Sequence, residues 1–488
     1  MGSDRRASSD LSLRRHPTRV PGLDDILGGG LIVGDTYLVT GTPGTGKTTL
    51  GNQLAFTHAA QGGSVLFATL MTESHDRMLA HMQEFSFFDR SLVGDRIRYL
   101  SLMVSMQDGD FEQSLRLIVD SIREHRASLL VIDGAGAARL FAQSEIDYLR
   151  FIHGLDTRAS VLGCTTVFLS GEREAEAVAT HVDGVLQLSN RSVSARDARW
   201  LRVSKLRGSD YLNGQHRLVI SDNGIAVYPR IESVYAKVEP TWHDPEDRLA
   251  FGVPSLDAMA AGGVQVGTAT LVLGTPGAGK TLLGLHFLSE GARRGERGIL
   301  AGFHETPPAL ASTAERANMG LLPHLESGLV QIMWRPPFEL APDEWAWQLL
   351  RMVDEHRPQR LVIDAYSDLI PLFTTPDRRT QFAPALANQL RDRDVTALII
   401  FEVDAFAGTA LTVPVQNLSA SLDNGILLRT TEVRSSLRRL VSILKQRQTG
   451  FDTTIREFSI GENGIVVGAA LDEANLLTGS VNPNVELQ

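Results

Sequence analysis

The stretch GTPGTGKTTL, from Gly41, returns 233 positions later as GTPGAGKTLL, from Gly274. Both copies satisfy G-x-x-x-x-G-K-[ST], and both directly follow an apolar run of strand length, TYLVTG and ATLVLG. That combination dictates strand, glycine loop and helix, because glycines let consecutive backbone N–H groups curl around phosphate oxygens. The residues expected to hold nucleotide are Gly41, Thr42, Pro43, Gly44, Thr45, Gly46, Lys47, Thr48 and Thr49 in the first loop. In the second they are Gly274, Thr275, Pro276, Gly277, Ala278, Gly279, Lys280, Thr281 and Leu282.

The repetition extends well beyond the loops. GLDDILGGGLIVGDTYLVTG, from Gly22, is echoed by SLDAMAAGGVQVGTATLVLG, from Ser255. Asp133, closing LLVID, and Asp364, closing LVID, stand 364 − 133 = 231 apart. Lys205 in VSKLRG and Lys445 in ILKQRQ stand 445 − 205 = 240 apart. Three landmarks in one order at nearly constant spacing make the chain two copies of one domain. The reading is an arm over 1–17, a first domain over 18–236, a linker over 237–247, a second domain over 248–470 and a tail over 471–488. Within each copy, unbroken apolar runs alternate with helix-like stretches, as in SVLFAT, SLLVID and TTVFLS, then GILAGF, RLVIDA and ALIIFEV. Such runs suit parallel strands covered by helices on both faces. Each copy is expected to end in a hairpin, turning at Asn223-Gly224 and at Asn463-Gly464. The fold class is α/β, twice over.

Composition narrows the function. A chain of 488 residues needs more than one core, and 43% hydrophobic with 21% charged residues is ordinary for a water-soluble protein. The single cysteine, Cys164, excludes a disulfide framework and suits a reducing cytoplasm. No apolar run reaches the length of a membrane span, and the basic, Ser-rich start lacks the apolar segment of a secretory signal. A net charge of −10 argues against general affinity for nucleic acid.

In the loops, Lys47 and Lys280 are placed to reach the outer phosphates of ATP, and Thr48 and Thr281 to offer a hydroxyl to Mg²⁺. Asp133 and Asp364 would support that metal. A lone Asp after an apolar strand is commonly a helix cap, but its recurrence with a loop lysine favours the metal role. Hydrolysis also needs a group that orients water, expected at the end of the strand after the loop helix. GFHETPPAL supplies Glu305 beside His304 there. ATLMTESHD supplies Met71 and Thr72, with Glu73 one residue later. The two sites are expected to be unequal.

From Val20 to Leu476 the sequence resembles the KaiC group of tandem RecA-like ATPases. The resemblance rests on the paired loops, HETPP at His304, KLRGSDYLNGQHRLVISDNGIAVYP at Lys205 and KQRQTGFDTTIREFSIGENGIVV at Lys445. It implies two tandem RecA-like P-loop NTPase domains in a homohexamer, with ATP and Mg²⁺ between neighbouring subunits. Lys205, Arg207, Lys445 and Arg447 then match residues that reach a neighbour's phosphates, against the plainer reading of basic strands at a solvated face. The group typically carries two adjacent glutamates at the catalytic strand end. His304-Glu305 keeps the second of them, and Met71-Thr72 keeps neither. The group's second domain also phosphorylates itself on a Ser-Thr pair, which falls here on Ser419-Ala420 with one acceptor retained. The implied function is a ring ATPase and serine autokinase in circadian-type or signalling regulation, with regulatory protein partners. The alternative is a RecA-, RadA- or DnaB-like motor driven by nucleic acid, opposed by the acidic charge and the duplication within one chain. A third reading is a scaffold that ATP merely glues together.

Overall fold

TYLVTG and ATLVLG are central strands because every one of their residues is buried. The computed structural model describes residues 13–70, 75–107, 111–193, 196–235, 247–338, 340–403, 422–433, 436–447 and 450–470. The chain divides into two compact units, Met1–Val234 and Tyr235–Gln488.

The first unit holds a nine-stranded sheet. Its strands are β1 (Thr36–Gly41), β2 (Val65–Thr69), β3 (Ile97–Ser101), β4 (Leu129–Asp133), β5 (Thr165–Ser170), β6 (Gly184–Val193), β7 (Arg196–Leu206), β8 (His216–Ser221) and β9 (Gly224–Tyr228). The second unit repeats them as β10 (Ala269–Gly274), β11 (Gly298–Gly302), β12 (Val330–Trp334), β13 (Arg360–Asp364), β14 (Thr396–Glu402), β15 (Asn424–Val433), β16 (Ser436–Gln446), β17 (Arg456–Gly461) and β18 (Gly464–Ala470). Spatial order in the first unit is β3-β2-β4-β5-β1-β6-β7-β8-β9, and the second unit keeps that order strand for strand. The strands from β3 through β6 run parallel, and β7, β8 and β9 continue the sheet antiparallel. Both units are RecA-like.

Alternate residues of the parallel strands feed two cores, one on each face of the sheet. Leu38, Leu66, Leu130 and Phe168 join one, and Val39, Phe67, Val131 and Leu169 the other. Burial on both faces is why these strands read as continuous apolar runs. Helix α1 (Lys47–Ala60) covers one face of the first sheet, and α2 (Lys280–Arg293) its counterpart in the second. No helix among the described residues is long and apolar enough to cross a membrane.

One expectation needs correction. Arg15 and His16, assigned to the arm, form a short antiparallel pairing with Ile32 and Leu31, and Arg15 donates to the Leu27 and Gly30 carbonyls. The first domain thus begins before residue 18. The expected terminal hairpins form, β8 with β9 and β17 with β18, and β6 and β7 pair as a longer hairpin ahead of the first. Leu201 and Val203 are buried while Arg202 and Ser204 are exposed, so the apolar signal of β7 comes at every second residue and reads weakly. Residues 237–246 of the linker and the tail from 471 lie outside the described residues.

Each terminal hairpin is locked to its loop helix by the side chain six residues after the loop lysine. In the first unit Gln53 accepts from Ile225 N (2.7 Å) and donates to Ile225 O (3.1 Å). In the second, His286 Nε2 accepts from Ile465 N (2.9 Å). Gly224 and Gly464 precede these contacts at φ +88° and +77°, and a Cβ there would strike Gln53 and His286 respectively. An accepting Nε2 requires a neutral ring, and burial, helped by Arg293, lowers the His286 pKa to about 4. The folded pKa lies below the unfolded value near 6.5, so this contribution is present above pH 6.5 and is lost as pH falls towards 4. Lowering pH from 7.5 to 5.5 should cost on the order of 1 kcal/mol through this residue alone. His286→Gln, which copies the first unit, should remove that increment. Urea titrations at the two pH values check it, and equal pH losses in the two proteins would refute it.

Candidate nucleotide sites

Both glycine loops join the end of a central strand to the start of a helix, with Gly46 (φ +101°) and Gly279 (φ +93°) as the left-handed residues before α1 and α2. Gly44 and Gly277 also take positive φ, and the space beside each is open. Lys47 Nζ donates back to the carbonyls of Gly41 (2.7 Å) and Thr42 (3.0 Å). Lys280 Nζ donates to the Thr275 carbonyl (2.8 Å) and to Glu402 Oε2 (3.1 Å). Leu282 and Ala278 turn their side chains into the hydrophobic core, which leaves their backbones to the loop.

The predicted metal-supporting pairs meet. Thr48 Oγ1 donates to Asp133 Oδ2 (2.8 Å), and Thr281 hydrogen-bonds the side chain of Asp364. Burial pushes the Asp364 carboxyl up to about 6; the Thr281 hydrogen bond opposes the rise and the nearby Glu305 charge adds to it. Burial also lowers the Lys47 pKa, against the attraction of Asp133, Glu172 and Glu174. In the second unit a cleft of about 190 Å³ gathers Thr281, His304, Glu305, Asp364, Asp368 and Glu402. His304 Nε2 lies 3.1 Å from Asp368 Oδ1, and the Glu305 side chain is exposed.

Strand register aligns the unequal catalytic ends. Thr69 pairs with Asp133 and Gly302 with Asp364, so two residues further on Met71 and Thr72 match His304 and Glu305. Residues 71–74, including Glu73, lie outside the described residues, as does Ser419. Thr69 itself is hydrogen-bonded through Oγ1 to His75 Nε2 (2.8 Å).

The four finger cations lie at the other end of the sheet. Leu206 pairs with Gly184 and Gly184 with Tyr37, at the start of β1, whereas Gly41 is reached through Leu188 and Leu201. Four residues of strand separate the two levels, roughly 13 Å, before two strand widths are added. Lys205 and Arg207 therefore cannot serve the loop of their own unit, and the matching register places Lys445 and Arg447 alike. Lys205 donates to the Ala179 carbonyl (3.0 Å) and Lys445 to the Leu422 carbonyl (2.7 Å). Arg207 pairs with Asp183 (3.3 Å) and Arg447 with Asp423 (3.5 Å). Each Asp also accepts from the first or second backbone N–H of the central-strand region, Thr36 (3.1 Å) or Ala269 (3.0 Å).

The sequence reading passed over three things here. Asp183 and Asp423 anchor the arginines, and 423 − 183 = 240 is the spacing that already related the finger lysines. Arg199 and Arg439, again 240 apart, donate through Nε to the Gly44 (3.4 Å) and Gly277 (3.5 Å) carbonyls. A search at that fixed offset would have found both pairs. Glu402 has no acidic counterpart in the first unit, so the repeat gave no signal for it.

A family model described as "ATPase: KaiC" matches residues 16–232 and again 249–472. The chain belongs to the KaiC ATPase family. Its KaiC relatives align along almost the whole length. The circadian clock oscillator protein KaiC of Rippkaea orientalis is 28% identical over 479 residues, covering 95% of this chain and 90% of that protein. The KaiC of Picosynechococcus sp. is 28% identical over 468 residues, 92% of this chain and 89% of that protein. The KaiC of Synechococcus elongatus is 26% identical over 481 residues, 95% and 91%. As a KaiC-family ATPase, the chain binds ATP.

Proposed function

We propose that the chain is a Mg²⁺-dependent ring ATPase whose sites are completed by neighbouring subunits, with the second domain supplying most turnover and a serine autokinase activity. The observation that carries this reading is the joining of each loop threonine to the aspartate of the neighbouring strand, beside a lysine aimed at the loop. One carboxylate, one hydroxyl and an open glycine cradle fit a magnesium-bound triphosphate, because Mg²⁺ keeps most of its ligands from water and phosphate. Among the described residues no cluster of three or more His, Cys, Asp or Glu is arranged to hold a metal, which suits an ion that arrives with nucleotide. Such an ion would neutralise charge on the transferring phosphoryl group.

Within this scheme Lys47 and Lys280 bind the outer phosphates, and Glu305 orients water or accepts a hydroxyl proton, with His304 beside it. Glu73 is the carboxylate nearest in sequence to the corresponding end of the first unit. Lys205, Arg207, Lys445 and Arg447 act on a neighbour's phosphates, a role supported by their distance from the loop of their own unit. The assembly is a homohexamer, in a cytoplasmic setting, serving circadian-type or signalling regulation through protein partners, as the role of its relatives suggests. A motor driven by nucleic acid is the less supported reading, given the family and the net charge of −10. ATP turnover unchanged by single-stranded DNA across a salt series is the expected result.

The autokinase part has its own test. Incubation with Mg-ATP should add one phosphate at Ser419, since Ala420 removes the adjacent acceptor. The modification would bring nearly two negative charges to a chain segment followed by Arg438 and Arg439. Intact mass and peptide mapping of wild type, Ser419→Ala and Glu305→Gln read it directly. ATP hydrolysis without phosphate anywhere in residues 417–421 leaves a plain ring ATPase.

A further inference from the structure

The two loop lysines have different partners, and the difference traces to one position. In the second unit Glu402 is the last residue of β14 and pairs in register with Gly274, where the loop begins. In the first unit Thr40 pairs with Ser170, so the residue level with Gly41 is Gly171. With no side chain there, Lys47 turns to backbone carbonyls. Lys280, only 7% exposed, keeps the Thr275 carbonyl and forms an ion pair with Glu402 at 3.1 Å in place of the second carbonyl. The Glu402 backbone is held in turn, its N–H donating to Ser367 Oγ (3.3 Å).

An ammonium donating to a carboxylate has fewer hydrogens left for phosphate, and the carboxylate itself repels phosphate. Glu402 also lines the cleft that holds Glu305, Asp364 and Asp368, and the Lys280 charge acts on Asp364 as well as on Glu402. We propose that Glu402 is a latch on the second P-loop: it holds Lys280 while nucleotide is absent, and ATP must displace it to bind. The second site then binds ATP more weakly than its loop alone would, while in the first site Glu172 and Glu174 attract Lys47 but its hydrogen bonds go to backbone carbonyls. The proposal rests on the second loop being a nucleotide site.

The test uses the full chain carrying Lys47→Ala, so that binding reports the second loop. Equilibrium binding of a fluorescent ATP analogue with Mg²⁺ is measured with Glu402 intact and with Glu402→Gln. The substitution should tighten Kd about five- to tenfold. Without nucleotide the same substitution should lower the unfolding temperature, because buried Lys280 loses its charged partner. Tighter binding by a less stable protein is a combination that a purely structural glutamate would not give. Glu402→Gly, which copies the first unit, should give the same gain in affinity. In a Lys280→Ala chain, binding to the first loop should ignore residue 402. Equal affinity with and without Glu402 overturns the latch alone. Weaker binding also overturns it and makes Glu402 a ligand of the nucleotide or its cation. No binding in either Lys47→Ala chain overturns the second nucleotide site, and the latch with it.

Discussion

Lys280→Ala should lower ATP turnover by at least about 100-fold, the loss typical of removing one preorganised donor to transition-state charge. Lys47→Ala should leave most turnover and chiefly loosen assembly. The asymmetry follows from the strand ends beside the two loops. The second unit presents Glu305 next to His304, the latter held by Asp368. In the first unit the matching positions are Met71 and Thr72, which offer no carboxylate. ATP bound at the first loop then acts mainly as a structural ligand, stabilising whatever state binds it by mass action. Steady-state phosphate release and sedimentation, both with saturating Mg-ATP, separate the two effects. Equal turnover loss in the two variants would refute the division of labour.

Arg447→Ala and Lys280→Ala should each silence the second-unit sites, yet a mixture of the two proteins should recover activity. An arginine acting from a neighbour is worth about 10³–10⁵ in kcat for phosphoryl transfer. In an equimolar mixture, about one interface in four joins an intact Lys280 to an intact Arg447, so about a quarter of wild-type turnover is the ceiling for random assembly. The expectation comes from geometry: Arg447 is anchored by Asp423 at the start of the central-strand region, away from the loop of its own unit. Rings that stay as inactive as either parent would place Arg447 in a local, structural role.

The fold was legible because a duplicated sequence is read twice. Central strands such as LLVID and LVID announce themselves through burial on both faces, and the loops through glycines that no other residue can replace. The antiparallel half was harder to read. β7 buries alternate side chains, β16 buries only the four residues from Leu440 to Ile443, and the edge strands β3 and β12 are short and only partly buried, so their apolar signal is thin. At the sites, the residues that define the motif were visible, whereas their partners were not. Asp183 and Asp423 look like any acid before a strand until the register puts them beside Arg207 and Arg447. Glu402 looks like the polar end of an apolar run until Gly274 is found level with it.

The sheet order has a consequence for how subunits can associate. Each domain keeps its nucleotide loop at one end of the central strand and its reaching cations at the other. A domain built this way is a plug at one end and a socket at the other. Two copies related by a two-fold axis match plug to socket only when they lie antiparallel, side by side. Copies that keep one orientation meet head to tail, and such contact leaves one plug and one socket unmatched until the chain of subunits closes on itself. An open head-to-tail assembly of any length would therefore carry one idle site for each of the two domains, and closure removes it without any new kind of contact.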